Sequence, residues 1–215
     1  SIIASIPQLP RLISTKTLIM DMGSTKRKIM HAFSSLSQDF EVIGGHPMCG
    51  KASGGFGNAD PDLFKGATFA LVKAENTQKS SQRLAEALVC ATGAHPLWID
   101  AETHDIVVAS VSHLPYLLSC ALVDSTPIAF ANLIGPGFKS ATRLAATPGS
   151  MMNDILETNQ DKILKEMDSL IANLNLLRKL TGDGNFNDLF ERLSGIAKKH
   201  KNMLDVQERL GNLEN

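Results

Sequence analysis

The residue best suited to chemistry in this chain is His46, which lies in the segment Gly44-Gly45-His46-Pro47-Met48-Cys49-Gly50. A histidine side chain titrates near neutral pH and can therefore exchange protons under ordinary conditions. The segment directly follows an apolar run, residues 40–43, that is typical of a buried strand. Because open α/β sheets bind their ligands beyond the carboxyl ends of their strands, we expect His46 to face a ligand.

Two cations further along the chain, Lys139 and Arg143, are spaced one helical turn apart, which places them on one face of a helix. Arg143 has apolar neighbours on both sides, so its guanidinium either pairs inside the protein or awaits a carboxylate in a cleft. Few acidic residues lie near the two cations in sequence. The pair therefore favours an anionic small molecule as the ligand.

A third candidate, His113, lies in the stretch 106–123, which contains no Asp, Glu, Lys or Arg and reaches the length of a membrane span. Polar residues inside the stretch and the absence of basic flanks favour a fully buried helix of a soluble protein instead. An imidazole in such a helix is costly without a partner. His113 therefore either bonds a backbone carbonyl or faces the same pocket as His46.

The elements that must position these residues fall into two parts. Up to about residue 101, short strand-like runs alternate with helical ones, which predicts a Rossmann-like parallel sheet covered by helices. Strands are predicted at residues 2–6, 17–20, 40–44, 68–72 and 96–99, and helices at residues 24–35 and 77–92. This first part, residues 1–101, is interpreted as part of a dinucleotide-binding domain.

Residues 102–215 show no strand pattern and are predicted to form an all-helical domain. Ile163, Met167, Leu170, Leu174 and Leu177 repeat at the spacing of a helix that packs against another helix. Glycines near residue 182 end this helix, and a second amphipathic stretch begins at about residue 186. The length of these apolar seams favours pairing between subunits, so we expect a homodimer.

Composition excludes several classes of partner and site. The net charge of -1 gives no electrostatic reason to expect nucleic acid or a membrane surface as partner. Three widely spaced cysteines without a Cys-x-x-Cys pair suggest neither a disulfide framework nor a metal site. The first residues lack the basic start of a signal peptide, so a cytoplasmic location is expected.

Several motifs, taken together, resemble the prephenate/arogenate dehydrogenases of tyrosine biosynthesis. They appear in the order of that family over about the first three-quarters of the chain, and no motif is matched after about Asn159. The matching segments are Ile2-Ile3-Ala4-Ser5-Ile6-Pro7, Asp21-Met22-Gly23-Ser24-Thr25-Lys26, Gly45-His46-Pro47-Met48-Cys49-Gly50, His104-Asp105, Ser112-His113-Leu114-Pro115, Gly137-Phe138-Lys139 and Thr142-Arg143.

The resemblance implies an NAD- or NADP-dependent oxidative decarboxylation of a cyclohexadienol, prephenate or arogenate. It makes His46 the general base, for which a near-neutral pKa is expected, with Ser24 against it. Arg143 would bind a substrate carboxylate, and the residues that assist it are Lys139, which adds charge, and His113, which lines the pocket.

For the cofactor, the resemblance implies that Ser5, Ile6 and Pro7 end a strand beside the nicotinamide. The partners that it implies are the small-molecule substrate, a second copy of the chain, and tyrosine as a candidate feedback inhibitor.

Three positions depart from the family pattern, at Tyr116, Ser140 and Met152, and they leave the choice between prephenate and arogenate open. The chain is also expected to begin after the glycine-rich dinucleotide fingerprint, and so to lack the first half of the nucleotide-binding domain. Under that expectation the alternative to a dehydrogenase is a non-catalytic dimerisation or regulatory remnant that has lost its cofactor site.

Overall fold

The structure, a computed structural model, describes residues 1–50, 57 and 59–212 of the 215-residue chain, with the backbone alone for residues 209–212. Its order, a sheet with covering helices followed by helices alone, confirms the predicted fold class. Helices α1 to α10 span Ile2–Ser5, Leu9–Leu12, Arg27–Phe33, Lys79–Ala91, Ala101–Val108, Leu114–Asp124, Pro136–Thr142, Gly149–Thr158, Gln160–Gly182 and Phe186–Asn212.

The described residues form a four-stranded sheet in the order β1-β2-β3-β4. The strands β1 to β4 span Thr17–Met20, Phe40–Pro47, Thr68–Lys73 and His95–Trp98. Strands β1 and β2 are parallel, as are β3 and β4, whereas β2 and β3 pair antiparallel. All four strands match predicted ones, and the sheet is parallel except for its central pair.

Consecutive residues of β2 point to opposite faces of the sheet, and each face carries a helix. Val42 belongs to an apolar cluster with Phe33 of α3. Ile43 belongs to a second cluster, on the other face, with Val89 of α4. Since both faces are covered, the start of β2 is fully buried, and it brings His46 to the edge of this core.

The segment before β1 folds as helical turns and not as the strand expected over residues 2–6. Helix α1 continues into a 3-10 turn, Ile6–Gln8, and then into α2. Ile3, Ile6 and Leu9 recur every third position, a helical period, and pack into the same cluster as α3. The strand prediction was wrong because it weighed the apolar run and neglected this spacing.

Helices α5 and α6 are joined by a π-helical turn, Ala109–His113, into one continuous span. This span, Ala101–Asp124, is the only helix of the described chain that is long and apolar enough to cross a membrane by length and composition. Only 22% of the most apolar stretch of this helix is buried within the chain. The expectation of a fully buried helix was therefore wrong. Within this span the charged side chain of Asp105 is buried, whereas the apolar side chains of Val111 and Leu118 are exposed.

The chain divides into two compact units, Ser1–Leu164 and Lys165–Asn215. The first contains the sheet and helices α1 to α8. The second contains most of α9 and all of α10, where the Arg192 guanidinium donates to Asn173 Oδ1 at 2.9 Å. Both long helices, and the break after Gly182, were predicted. The domain boundary near residue 101 stays a prediction.

Candidate active site

Asp21 and Lys26 form a buried ion pair in the loop after β1. Lys26 Nζ lies 2.5 Å from Asp21 Oδ2 and 2.6 Å from the carbonyl oxygen of Gly45 on β2. Asp21 Oδ2 also accepts a hydrogen bond of 2.7 Å from the backbone N–H of Gly23. Burial lowers the pKa of Lys26, while the adjacent Asp21 carboxylate opposes that shift. The pair fixes the path of the loop that carries Ser24.

The two glycines before His46 allow this loop to approach β2. A Cβ atom at Gly45 would lie 2.5 Å from the carbonyl oxygen of Asp21, a separation that real Cβ atoms do not show. A Cβ atom at Gly44 would lie 3.0 Å from Lys26 Cδ. The glycine pair is therefore explained by the close approach of backbone and lysine stem, for which a side chain leaves no room.

His46, His104 and Asp105 form a hydrogen-bonded chain that links β2 to α5. His46 Nδ1 lies 2.9 Å from His104 Nε2, and His104 Nδ1 lies 2.8 Å from Asp105 Oδ1. The two imidazole rings meet edge to face, with centroids 5.1 Å apart. His104 and Asp105 are buried, and His46 is partly exposed at the end of β2. The inner members of the chain are thus shielded from solvent, and the outer one is open to a ligand.

The Asp105 carboxylate also caps helix α3. Its Oδ1 accepts from the backbone N–H of Lys26 at 2.7 Å, and its Oδ2 accepts from that of Arg27 at 2.9 Å. These N–H groups belong to the first turn of the helix, where no partner inside the helix is available. Burial would raise the pKa of Asp105, but the hydrogen bonds from His104, Lys26 and Arg27 lower it overall. Asp105 is therefore an ionised acceptor.

His46 is uncharged at neutral pH. Burial lowers its pKa to about 3, and the nearby His104, Lys26 and His113 add to that shift, whereas Asp105 opposes it. The expectation of a near-neutral pKa was wrong because the sequence does not reveal how closely these groups surround the imidazole. A neutral imidazole offers one nitrogen as acceptor and can take a hydrogen bond from a ligand hydroxyl.

The π-helical turn brings His113 to the side of the helix that carries Asp105. Eight positions along a regular α-helix leave two side chains about 80° apart, but the wider turn absorbs about one residue and nearly aligns them. Asn159 Nδ2 reaches both, since it donates to the Asp105 carbonyl oxygen at 2.7 Å and lies 3.3 Å from His113 Nδ1. The partner of His113 is therefore a side-chain amide and not the backbone carbonyl.

His113 is also held in its neutral form. Burial lowers its pKa to about 4, a shift that Asp105 opposes and His104 increases. The neutral ring accepts from the Asn159 amide at Nδ1, and protonation there would set two donors against each other. The other amide atom, Asn159 Oδ1, is buried without a partner among the described residues.

Ser24 lines a cleft of about 340 Å³ beside the loop after β1. The opposite wall is formed by α8, which contributes Glu157 and Thr158. Because β1 and β2 are parallel, Ser24, which follows β1, and His46, near the end of β2, lie toward the same edge of the sheet. In the part of the chain that the structure describes, no hydrogen bond joins the two side chains.

Lys139 and Arg143 are both exposed, with Lys139 in α7 and Arg143 directly after it. Arg143 lies in a 3-10 turn, so the common helical face predicted for the two cations stays a prediction. Among residues 1–50, 57 and 59–212, neither cation makes an ion pair, and neither is hydrogen-bonded to His46 or His113. The interpretation of Arg143 as half of an internal pair therefore has no support, and both cations are free to bind an anion.

The residues expected beside a nicotinamide, Ser5, Ile6 and Pro7, lie in the helical turns before β1. Ile6 is only 1% exposed and packs in the core with α3. Ser5 Oγ bonds the carbonyl oxygen of Ser1 at 3.4 Å. The strand end on which the cofactor contact was based is absent here, and the contact stays a prediction.

Sequence reasoning assigned no role to His104, Asp105 or Asn159, which complete the cluster around His46. One signal was available: His104 and Asp105 are two ionisable residues directly before the apolar run Ile106-Val107-Val108, a costly place for them without partners. The start of that helix was readable as well, because Asp100 is a typical N-cap residue and accepts a hydrogen bond of 2.8 Å from Thr103 N.

Two family models match the chain. The one described as the nucleotide-binding domain of prephenate dehydrogenase matches residues 2–97, and the one described as the dimerization domain of prephenate dehydrogenase matches residues 100–195. Together they cover most of the chain, including every residue of the cluster around His46.

Similar proteins agree with these matches. The prephenate dehydrogenase of Bacillus subtilis is 31% identical over 205 residues, covering 92% of this chain and 55% of that protein. The prephenate dehydrogenase of Lactococcus lactis is 33% identical over 168 residues, covering 73% of this chain and 45% of that protein. The chain thus spans about half the length of these curated relatives.

Among solved structures, the prephenate dehydrogenase of Aquifex aeolicus in complex with hydroxyphenyl propionate and NAD+ is similar, with a TM-score of 0.85 and 28% sequence identity. The likeness covers 94% of this chain and 74% of that one. It therefore extends over both the sheet and the helical region.

Proposed function

We propose a function from one premise: this chain belongs to the prephenate/arogenate dehydrogenase family. The protein oxidises prephenate or arogenate with NAD or NADP and releases carbon dioxide, a reaction of tyrosine biosynthesis. The observation that carries this proposal is the neutral His46 at the carboxyl edge of the sheet, hydrogen-bonded to the buried pair His104 and Asp105. A neutral imidazole in this place can accept the hydrogen bond of a hydroxyl under oxidation.

The carboxyl edge of β1 and β2 fits the reacting end of such a cofactor. Dinucleotides bind at this edge in open α/β sheets. The edge carries an uncharged His46, while Ser24 follows β1 and lines a neighbouring cleft that does not include His46. A neutral imidazole does not repel the cationic ring of an oxidised nicotinamide. When bound, NAD or NADP supplies the acceptor of the hydride, and the protein supplies position and the proton acceptor.

The chemistry at His46 is a proton transfer that accompanies loss of hydride from the substrate's carbinol carbon. The hydroxyl O–H bond breaks and its proton passes to the imidazole. Departure of the ring carboxyl group as carbon dioxide leaves its bonding electron pair in the ring, which becomes aromatic. The proton then returns to the ring oxygen, so His46 ends the cycle neutral.

The substrate carries carboxylates, and the exposed cations Lys139 and Arg143 bind them. Both lack an ion-pair partner among the described residues, so neither must first break an internal contact. Arg143 fits a carboxylate through two parallel N–H donors, whereas Lys139 adds a point charge. His113 lines the inner part of the site, and tyrosine, with its own carboxylate, is a ligand of the same cations.

The protein acts as a homodimer through its helical region. The α5–α6 span exposes Ile106, Val107, Val111, Leu118 and Leu122, each at least 37% accessible in the isolated chain. One subunit leaves this apolar surface in water, and a second copy would remove it. The match of residues 100–195 to a family's dimerization domain supports this assembly. The relatives named above are dehydrogenases, and no observation supports a non-catalytic remnant.

The test, in a protein that carries the complete nucleotide-binding domain, is turnover with prephenate and with arogenate, each with NAD and with NADP, followed through the reduced nicotinamide. In His46→Asn, kcat should fall by about two to four orders of magnitude, because the amide has no basic nitrogen. Calorimetric binding of substrate should change little. The matched control is His31→Asn, on the exposed side of α3, which should keep full turnover. Unchanged kcat in His46→Asn would contradict the role of His46, and no turnover under any of the four conditions would contradict the function.

A further inference from the structure

We propose that His104 and Asp105 are positioning residues that hold His46 in one tautomer, with the proton on Nδ1 and a bare Nε2 as the acceptor. The proposal deepens the function proposed above and rests on it for its catalytic meaning. Its structural part, the tautomer itself, can be measured without any turnover.

The assignment begins at the buried end of the hydrogen-bonded chain. Asp105 Oδ1 accepts from Lys26 N at 2.7 Å and Oδ2 accepts from Arg27 N at 2.9 Å, as expected for an ionised carboxylate. A carboxylate has no proton to give. The 2.8 Å contact between Asp105 Oδ1 and His104 Nδ1 therefore requires the proton on His104 Nδ1.

The next contact then follows. With its proton on Nδ1, a neutral His104 presents a bare Nε2. That nitrogen lies 2.9 Å from His46 Nδ1, so His46 must supply the proton between them. The neutral His46 is thereby left with Nε2 unprotonated. In this tautomer His46 Nε2, the ring nitrogen that does not contact His104, can receive the substrate's hydroxyl proton.

The alternative is a doubly protonated His104 that donates to both neighbours and reverses the tautomer of His46. It would place an imidazolium between the Asp105 carboxylate and His46. A proton arriving on His46 would then set two cations 2.9 Å apart, which disfavours the proton transfer that His46 has to accept. With His104 neutral, each ring nitrogen of His46 and His104 has a hydrogen-bond partner except His46 Nε2.

The same arrangement assists the transfer. When His46 accepts a proton at Nε2 it becomes a cation whose Nδ1–H already points at His104, with the Asp105 carboxylate beyond. That carboxylate opposes the shift that keeps His46 neutral. The chain His46–His104–Asp105 thus orients the acceptor before the reaction and stabilises its charge during it, the division of roles known from hydrolytic triads.

The direct measurement is long-range proton–nitrogen NMR on the ¹⁵N-histidine-labelled chain, which tells a protonated ring nitrogen from a bare one. His46→Asn identifies the His46 signals among the six histidines. We expect Nδ1 protonated and Nε2 bare at pH 7. The reverse pattern in the unaltered chain overturns the proposal, whatever the protein's activity.

Variants at His104 supply the second arm. His104→Phe keeps a ring but removes both nitrogens, so His46 should acquire a substantial Nε2–H population. In turnover assays kcat should fall about 10- to 100-fold, at most the lower end of the loss expected for a general base, with KM little changed. His104→Gln offers an amide oxygen to His46 and an N–H to Asp105, the same pattern as the neutral imidazole, and should restore much of both readouts. Equal losses in Phe and Gln variants that are folded by circular dichroism would mean a purely structural role and overturn the proposal.

The two arms separate this proposal from the proposed function. The expected tautomer together with no turnover of prephenate or arogenate would leave the positioning of His46 standing and contradict the dehydrogenase assignment. Normal turnover with the reversed tautomer would do the opposite. His31→Phe, on the exposed side of α3, is the control that should move neither readout.

Discussion

Acidification should destabilise the first compact unit, and His113 should account for a defined share of the loss. This side chain is 2% exposed, and its pKa is lowered from 6.5 to about 4, first of all by burial. In the unfolded chain it regains its ordinary pKa. Between those two values the unfolded state binds a proton that the folded state does not, so the free energy of unfolding falls as the pH falls.

The magnitude follows from that shift. Each pKa unit corresponds to about 1.36 kcal/mol, so the lowering of the pKa from 6.5 to about 4 gives a loss on the order of 3 kcal/mol as the pH falls from 7 to 4. The stabilisation is complete above pH 6.5 and is lost as the pH approaches 4. His113→Gln retains an acceptor for the Asn159 amide but does not titrate. As the pH falls, the unfolding free energy of this variant should decrease less steeply than that of the unaltered chain. The two slopes should differ by about 1.4 kcal/mol per pH unit between the two pKa values.

Trp98 is the only tryptophan and lies in β4, so its fluorescence reports on the first compact unit alone. Urea titrations of the unaltered chain and of His113→Gln at intervals from pH 7 to pH 4 give the two slopes. His200→Gln, on the exposed surface of α10, serves as the matched control and should follow the unaltered chain. Parallel curves for the unaltered chain and His113→Gln would refute the reasoning, because groups common to both, His46 and the carboxylates, would then explain all of the acid sensitivity.

Two further predictions concern ligand binding and assembly. Arg143→Ala should weaken binding of substrate or tyrosine by about 1.5–3 kcal/mol, the range of a charged hydrogen bond. The control variant Arg83→Ala, at another exposed site, should leave this binding unchanged. Equal effects of the two variants in calorimetry would contradict the assignment of Arg143 to the binding site. In light scattering, the chain should be a dimer and Val111→Asp a monomer, whereas Leu84→Asp, at an equally exposed apolar position of α4, should remain a dimer. A monomeric unaltered chain, or a dimeric Val111→Asp, would contradict the assembly.

The sequence was sufficient where the signal is local. The apolar run before His46 predicted β2. Heptad spacing likewise predicted α9. In each case the residues that decide the structure lie within a few positions of one another, which is the range over which strand and helix periodicity acts.

The rest depends on contacts between distant segments. Asp105 meets Lys26 across 79 positions of sequence, and His46 meets His104 across 58, so neither partner is implied by its own neighbourhood. The lowered pKa of His46 follows from those contacts and could not be anticipated either. The π-helical turn that re-aims His113 has no recognised sequence signature. At the start of the chain, Ile6 could have entered a strand or a helical core, and packing against α3 decided it.

One carboxylate, that of Asp105, caps α3 and also ends the chain that leads to His46. In a genetic screen, a substitution of Asp105 would therefore be classified as a folding defect. Loss of the cap of α3 destabilises the protein and lowers its expressed amount. Suppressor mutations elsewhere could recover expression through added stability, but they would not give His104 its acceptor back. Lineages that drift at this position are thus expected to keep an abundant protein and lose turnover, and the reverse combination should not arise.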